Sequence, residues 1–217
     1  MRLEKFNFIK KKYGRFASWS IWGEEEGTAK SNMGDLSVLD PKQNPDVLSK
    51  LKPDIVFVGL NTSREITDWE PFSNFHPNYS SAQDYKTRYA LQDTVLWGGY
   101  MTDIIKDYPE LQGRKVMSFL RDNPDVEKKN IETFRQELKD LGTKNRIIIA
   151  FGTNVYNILQ KNLQNEFNIF KVTHYSHFIN SKNYRDEFSF LIKKINKIIT
   201  LSTPSSSLTN IEDPPRP

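Results

Sequence analysis

An amide and two hydroxyls, Asn61, Thr62 and Ser63, follow one residue after the apolar run Ile55, Val56, Phe57 and Val58 and the turn residue Gly59. Three imidazoles, His76, His174 and His177, and the carboxylate of Asp103 are the other groups in loop or strand-end sequence that can do chemistry. The chain has no cysteine, which excludes disulfides, thiolate zinc sites, cysteine-ligated iron–sulfur clusters and a cysteine nucleophile. Whatever reaction occurs must use oxygen, amide or imidazole groups. The triplet after Gly59 also reads as a polar loop with a helix-capping Ser or Thr. His174 and His177 with His76 and Asp103 could alternatively form an imidazole–carboxylate metal site.

The elements that must hold these groups follow from apolar spacing. Ile55 to Val58, an apolar run with nothing polar in it, suits a strand buried on both faces of a parallel sheet. Upstream, the basic run Lys10, Lys11, Lys12 and Arg15 leads into Phe16 to Trp22, a strand or extended arm, and then a loop-rich region to Lys52. After the central strand, the connection from Arg64 to Ser81 carries Trp69, Phe72, Phe75, His76 and Tyr79 without helical or strand period, as a structured functional loop does. Asp84 to Gln92 reads as a helix, and Val95 to Met101 as a second strand ending at Tyr100 with Thr102 and Asp103 just beyond it.

Asn130 to Leu141 places Ile131, Phe134, Leu138 and Leu141 on one helical face, and Gly142 stops it. Arg146 to Phe151 is a buried strand, Gly152 turns the chain, and Thr153 caps a helix that turns Val155, Ile158, Leu159 and Leu163 inward. Asn168 to Thr173 gives a fourth strand, and Tyr184 to Thr200 a last helix with Phe188, Leu191, Ile192, Ile195, Ile198 and Ile199 on its apolar side.

Alternating strands and helices predict an α/β fold, three layers α/β/α around a central, mostly parallel four-stranded sheet. The expectation is one domain over residues 1–201, with residues 1–52 packing on it as an N-terminal extension and residues 202–217 as a flexible tail. In such a sheet all strand C-terminal ends share one rim, where ligands bind. That rim should gather Asn61, Tyr100, Asp103, Gly152 and His174.

Composition narrows the class. With 217 residues, 37% apolar and 27% charged, the chain can bury one sizeable core. No apolar run approaches membrane-spanning length and the N-terminus lacks a signal-peptide apolar core, so a cytoplasmic location is expected; a monomer is a separate expectation. A net charge of +4 is compatible with a polyanionic partner and does not demand one.

The order of segments resembles the uracil-DNA glycosylase superfamily over roughly Asp54 to the last helix. VFVGLNTS is similar to the first motif, in the form with asparagine that characterises the mismatch-specific and single-strand-selective branches. PFSNFHP resembles the aromatic loop, GGYMTDIIK a tyrosine–threonine–aspartate segment of some branches, and IIIAFGTNVYNIL the later strand and turn. HYSHF, His174 to Phe178, matches part of the second signature, a His-Pro-Ser-Pro loop followed by leucine. Thr62, Tyr175 and His177 stand where the family has proline.

The resemblance implies a DNA glycosylase that hydrolyses the N-glycosidic bond of a flipped-out uracil or modified pyrimidine in duplex or single-stranded DNA, with no cofactor, metal or membrane. It implies that Asn61 orients water and His174 stabilises the departing base. It further implies base contacts from Gly59, Leu60, Phe72, Phe75, Tyr100 and Asp103, and DNA contacts from Thr62, Ser63, Tyr175, Ser176, His177 and Phe178. In this scheme Phe75, with Phe72 second, receives the base on its face, and Phe178 fills the gap left in the stack. Two relatives of that reading stay open: excision of modified cytosines from viral DNA, and a member of the fold that binds nucleic acid without catalysis.

Overall fold

The structure, a computed structural model, describes residues 1–63, 70–106, 108–142 and 147–202, with side chains through residue 197. Trp69, Arg146 and the expected tail beyond Ser202 lie outside the described residues, as do the side chains of Ile198 and Ile199.

In chain order the elements are α1 (Leu3–Tyr13), β1 (Ala17–Trp19), α2 (Val47–Lys50), β2 (Lys52–Asn61), α3 (Tyr85–Leu91), β3 (Gly99–Ile105), α4 (Gly113–Asp122), α5 (Pro124–Leu141), β4 (Ile147–Phe151), α6 (Thr153–Leu163), β5 (Asn168–Val172) and α7 (Ser181–Ser202). The strands form one sheet in the order β1-β3-β2-β4-β5. β2 lies parallel to both β3 and β4, β5 is parallel to β4, and β1 pairs antiparallel with β3. The fold is therefore α/β with a mostly parallel sheet, but the sheet has five strands instead of the expected four. The fifth comes from the N-terminal arm, whose Ala17–Trp19 joins the edge.

Period-2 alternation divides the core into two layers. Val56 and Val58 of β2, with Ile148 and Ala150 of β4, face a cluster built with α1, α4, α5 and α6. Phe57, Ile149 and Phe151 face the other side, where α3 and α7 supply Ala90, Leu91, Tyr184, Phe188 and Leu191. Helices thus cover both faces, as continuous apolar runs in β2 and β4 require. Residues 1–52 contribute Phe6, Ile9, Tyr13 and Trp19 to the first cluster and are part of the packed core.

Three elements differ from the sequence expectation. α1 occupies the basic segment, burying Phe6, Ile9 and Tyr13 while its lysines face outward. α4 was not anticipated, and α5 starts six residues earlier than expected, at Pro124, where a proline costs no helical hydrogen bond. β3 begins at Gly99 because Thr94–Gly98 forms turns, with Gly98 at φ +87° and its backbone against Lys50. The strand therefore includes Thr102 and Asp103 where they were expected beyond its end. No helix among the described residues is long and apolar enough to cross a membrane.

Candidate functional site

The C-terminal ends of β2, β3, β4 and β5 open onto a cleft of about 610 Å³. Gly59, Leu60, Asn61, Thr62, Ser63, Phe75, Asp103, Gly152, His174, Tyr175, Ser176 and His177 line it together. Three expected members do not line it: Tyr100, Phe72 and the exposed Phe178. Tyr100 sits near the start of β3, fully buried, and its hydroxyl donates to Glu137 Oε1 at 2.7 Å in the opposite layer. Phe72 packs its ring 5.5 Å from that of Phe6 in the same layer.

Asn61 ends β2, and its amide has one orientation available. Nδ2 donates to the carbonyl oxygens of Thr62, Tyr108 and Glu110 at 2.8, 2.9 and 2.9 Å. Three acceptors around one end of the amide identify that end as nitrogen. Oδ1 therefore points away from them, with no partner among the described residues, on a side chain that lines the cleft. The same segment is tied from the other side by Glu110 N–H donating to the Thr62 carbonyl.

At the deep end Asp103 is 3% exposed and lies over Gly59. A β-carbon at 59 would meet Asp103 Oδ1 at 2.3 Å and the Phe75 ring at 3.6 Å, so glycine is what lets carboxylate and ring approach the strand. Asn74 Nδ2 donates to Asp103 Oδ2 at 2.8 Å and to the Phe16 carbonyl at 3.0 Å. Burial pushes the Asp103 carboxyl up to about 6, against the lowering effects of Asn74 and Lys106. Lys106 itself directs its ammonium to Thr102 Oγ1, to the Asp103 carbonyl and to Glu137, which is fully buried, at 2.8 Å.

The aromatic loop is held by its backbone. Phe72 adopts φ +79°, an uncommon conformation for an aromatic residue, and its N–H donates to the Gly14 carbonyl. The turn Ser73–Phe75 follows, and Trp22 Nε1 donates to the Phe75 carbonyl at 3.1 Å. Phe72 is thus a support that aims Asn74 and Phe75 at the cleft. His76 is buried beside them, Nε2 against the Ile21 carbonyl at 2.9 Å and Nδ1 against Ser18 Oγ and the Phe72 carbonyl. Desolvation lowers its pKa to about 4, so it is a neutral core group. Among the described residues no three His, Asp or Glu side chains gather as metal ligands.

The loop after β5 presents His174 to Phe178. His174 Nδ1 accepts from the backbone N–H of Ser176 at 3.1 Å and lies 2.8 Å from its hydroxyl. Because a backbone N–H can only donate, Nδ1 is unprotonated and the neutral ring carries its proton on Nε2. Burial, with a smaller contribution from His177, lowers the His174 pKa to about 4, so this tautomer prevails at neutral pH. Tyr175 stacks on His174 at 4.3 Å, meets Phe151 edge-on at 5.4 Å and hydrogen-bonds Asp84. Its ring anchors the loop from within, and Lys86 adds bonds to the Tyr175 and His177 carbonyls. Ser176, His177 and Phe178 remain exposed, Phe178 completely.

Two cleft residues escaped the sequence reading. Asn74 lies inside the PFSNFHP segment, between phenylalanines and a histidine that carry the more obvious signals. Asp84, just ahead of α3, is 6% exposed, and burial raises its carboxyl to about 7. An acid next to a helix start looks like a cap, yet it makes no side-chain cap bond. Thr153 likewise is not a cap: it is the first residue of α6, and Gly152 at φ +89° precedes it. Comparison with family models, with curated proteins and with solved structures gave no match for this chain.

Proposed function

We propose that the protein is a monofunctional DNA glycosylase that hydrolyses the bond between a flipped-out pyrimidine and its sugar and leaves an abasic site, in a fold of the uracil-DNA glycosylase type. The observation that carries this reading is the meeting of Asn61, Phe75, Asp103 and the His174 loop around one cleft at the parallel strand ends. These come from separated segments whose order prompted the resemblance.

The chemistry needs a positioned water, a donor for the departing base and a shielded pocket. Asn61 orients the water through Oδ1. An amide is not a useful base at neutral pH, so its role is position and not proton removal. As the bond breaks, negative charge grows on the base, and His174 Nε2–H is the donor that meets it. Neutral imidazole suits this task because it donates without losing its proton. Phe75 provides a face near the carboxylate at the deep end, and exposed Phe178 is placed to occupy the space a flipped base vacates.

The rim has the features for backbone phosphates. α4 and α6 direct their N-termini at the cleft through Gly113 and Thr153, neither with a side-chain cap bond, so backbone N–H groups are left for an anion. Ser63 and Ser176 add exposed hydroxyls. The test is incubation with oligonucleotides carrying uracil, mismatched thymine or modified cytosines, single- and double-stranded, followed by alkaline cleavage. Strand scission at the modified base is the expected result. Tight binding with no abasic product on any substrate would replace this reading with a non-catalytic binding module.

A further inference from the structure

Resting on the reading that the cleft receives a base, we infer that the base it prefers carries an exocyclic amino group, the cytosine type of edge, and that Asp103 makes the choice. Among the described residues the deep end offers an unpaired acceptor. Asp103 Oδ2 is already satisfied by Asn74, whose amide is fixed by its second bond to the Phe16 carbonyl. Oδ1 has no hydrogen-bond partner among the described residues and lies against Gly59, beside the ring of Phe75. A base resting on Phe75 next to Gly59 presents its edge to that oxygen.

The nearest cation does not change this. Lys106 spends its ammonium on Thr102, on the Asp103 carbonyl and on Glu137 in the opposite layer. Across the cleft stands a second carboxyl, Asp84, paired with the Tyr175 hydroxyl. At pH 8, above the values of about 6 and about 7 to which burial raises them, Asp103 and Asp84 are both carboxylates, which only accept hydrogen bonds. An amino group projects beyond the ring and meets it directly. A dioxo edge sets a carbonyl oxygen where that amino group stands, and turns lone pairs instead of hydrogens toward the Asp103 carboxylate. Discrimination against the wrong edge arises from the unpaired acceptors as much as from the favourable bond.

The matched pair deoxycytidine and deoxyuridine differs on this edge alone. The probes are single-stranded oligonucleotides of tetrahydrofuran abasic spacers with one central deoxycytidine or one central deoxyuridine, and binding is read by fluorescence anisotropy at pH 8. The cytidine probe should bind roughly tenfold to a hundredfold more tightly. Asp103→Asn, which offers a donor as well as an acceptor, should narrow or reverse that ratio. Equal affinity, a preference for deoxyuridine, no binding of either probe, or an unchanged ratio in D103N would each overturn the inference. The comparison on the unaltered protein needs no variant, so a D103N chain that fails to fold leaves it decisive. Binding is read without turnover, which separates the two ideas. A cytidine preference with no abasic product from any oligonucleotide keeps the amino-edge inference and removes the glycosylase. Efficient release of uracil with no cytidine preference does the reverse.

Discussion

Asp103 Oδ1 occupies the space into which a side chain on Gly59 would project, leaving only 2.3 Å to a β-carbon there. The two residues are register partners on adjacent parallel strands, β2 and β3, so the contact is set by the sheet itself. Gly59→Ala should therefore keep the fold and displace the carboxylate. Overpacking of this kind costs about 1–3 kcal/mol. We expect a lowered urea midpoint and a single-turnover rate that falls well beyond what the stability loss explains. An alanine variant with ordinary rate and stability would show that the close contact is unimportant.

Asp84 should make its own mark on the pH dependence of stability. Its folded carboxyl is raised from 3.8 to about 7, mainly by burial, so the folded state holds a proton that the unfolded chain releases. The stabilisation is full below pH 3.8 and is lost progressively as pH rises to about 7. His76 and His174, lowered to about 4, act in the opposite sense, raising stability as pH climbs from about 4 to 6.5. The two trends oppose each other in the unaltered protein, so the informative quantity is a difference. Relative to it, Asp84→Asn should gain a few kcal/mol between pH 4 and pH 7. Denaturant titrations of both proteins at pH 4, 5.5 and 7 measure this. A constant difference across the range would mean that Asp84 titrates normally.

Phe178 is fully exposed among the described residues, in a loop that Tyr175 and Lys86 hold in place. Phe178→Ala should leave the melting temperature unchanged, within the ±0.5 kcal/mol usual for surface sites. Activity should drop on duplex substrates, where unstacking opposes flipping, and persist on single strands. Equal losses on both substrates would assign the ring some other role.

The segments read correctly from the sequence were those whose signal is local. β2 and β4 are apolar runs, and α5, α6 and α7 repeat apolar residues at three and four positions, so each carried its own period. β3 was misplaced because Val95, Leu96 and Trp97 look like strand residues, yet a positive φ at Gly98 turns the chain after them. That shift also explains the error over Tyr100. Near the strand's start, and three positions from Asp103, its side chain falls in the opposite layer. α1 was hidden by its lysines, although Phe6, Ile9 and Tyr13 have helical spacing. Asp84 was beyond reach for another reason: its raised pKa depends on packing that brings α3 against the loop after β5, a long-range contact without a local signature.

Asn61 and His174 give the sharpest test, because the structure fixes what each can offer. The Asn61 nitrogen is committed to three backbone carbonyls, so Asn61→Ala removes both the free Oδ1 and the clasp on residues 108–110. Asn61→Asp separates these roles. It restores an oxygen toward the cleft but sets a second one against the three carbonyls, so this variant should lose stability where alanine mainly loses rate. We expect Asn61→Ala to lower the single-turnover rate roughly a hundredfold while DNA affinity holds, the pattern of a group acting in the transition state. His174→Ala should behave alike, and His174→Gln, which can still donate, should recover part of the rate. If both residues serve one transition state, the double variant should lose less than the product of the single losses. Rates on the best substrate that ignore Asn61→Ala and His174→Ala alike would move the active site away from this cleft.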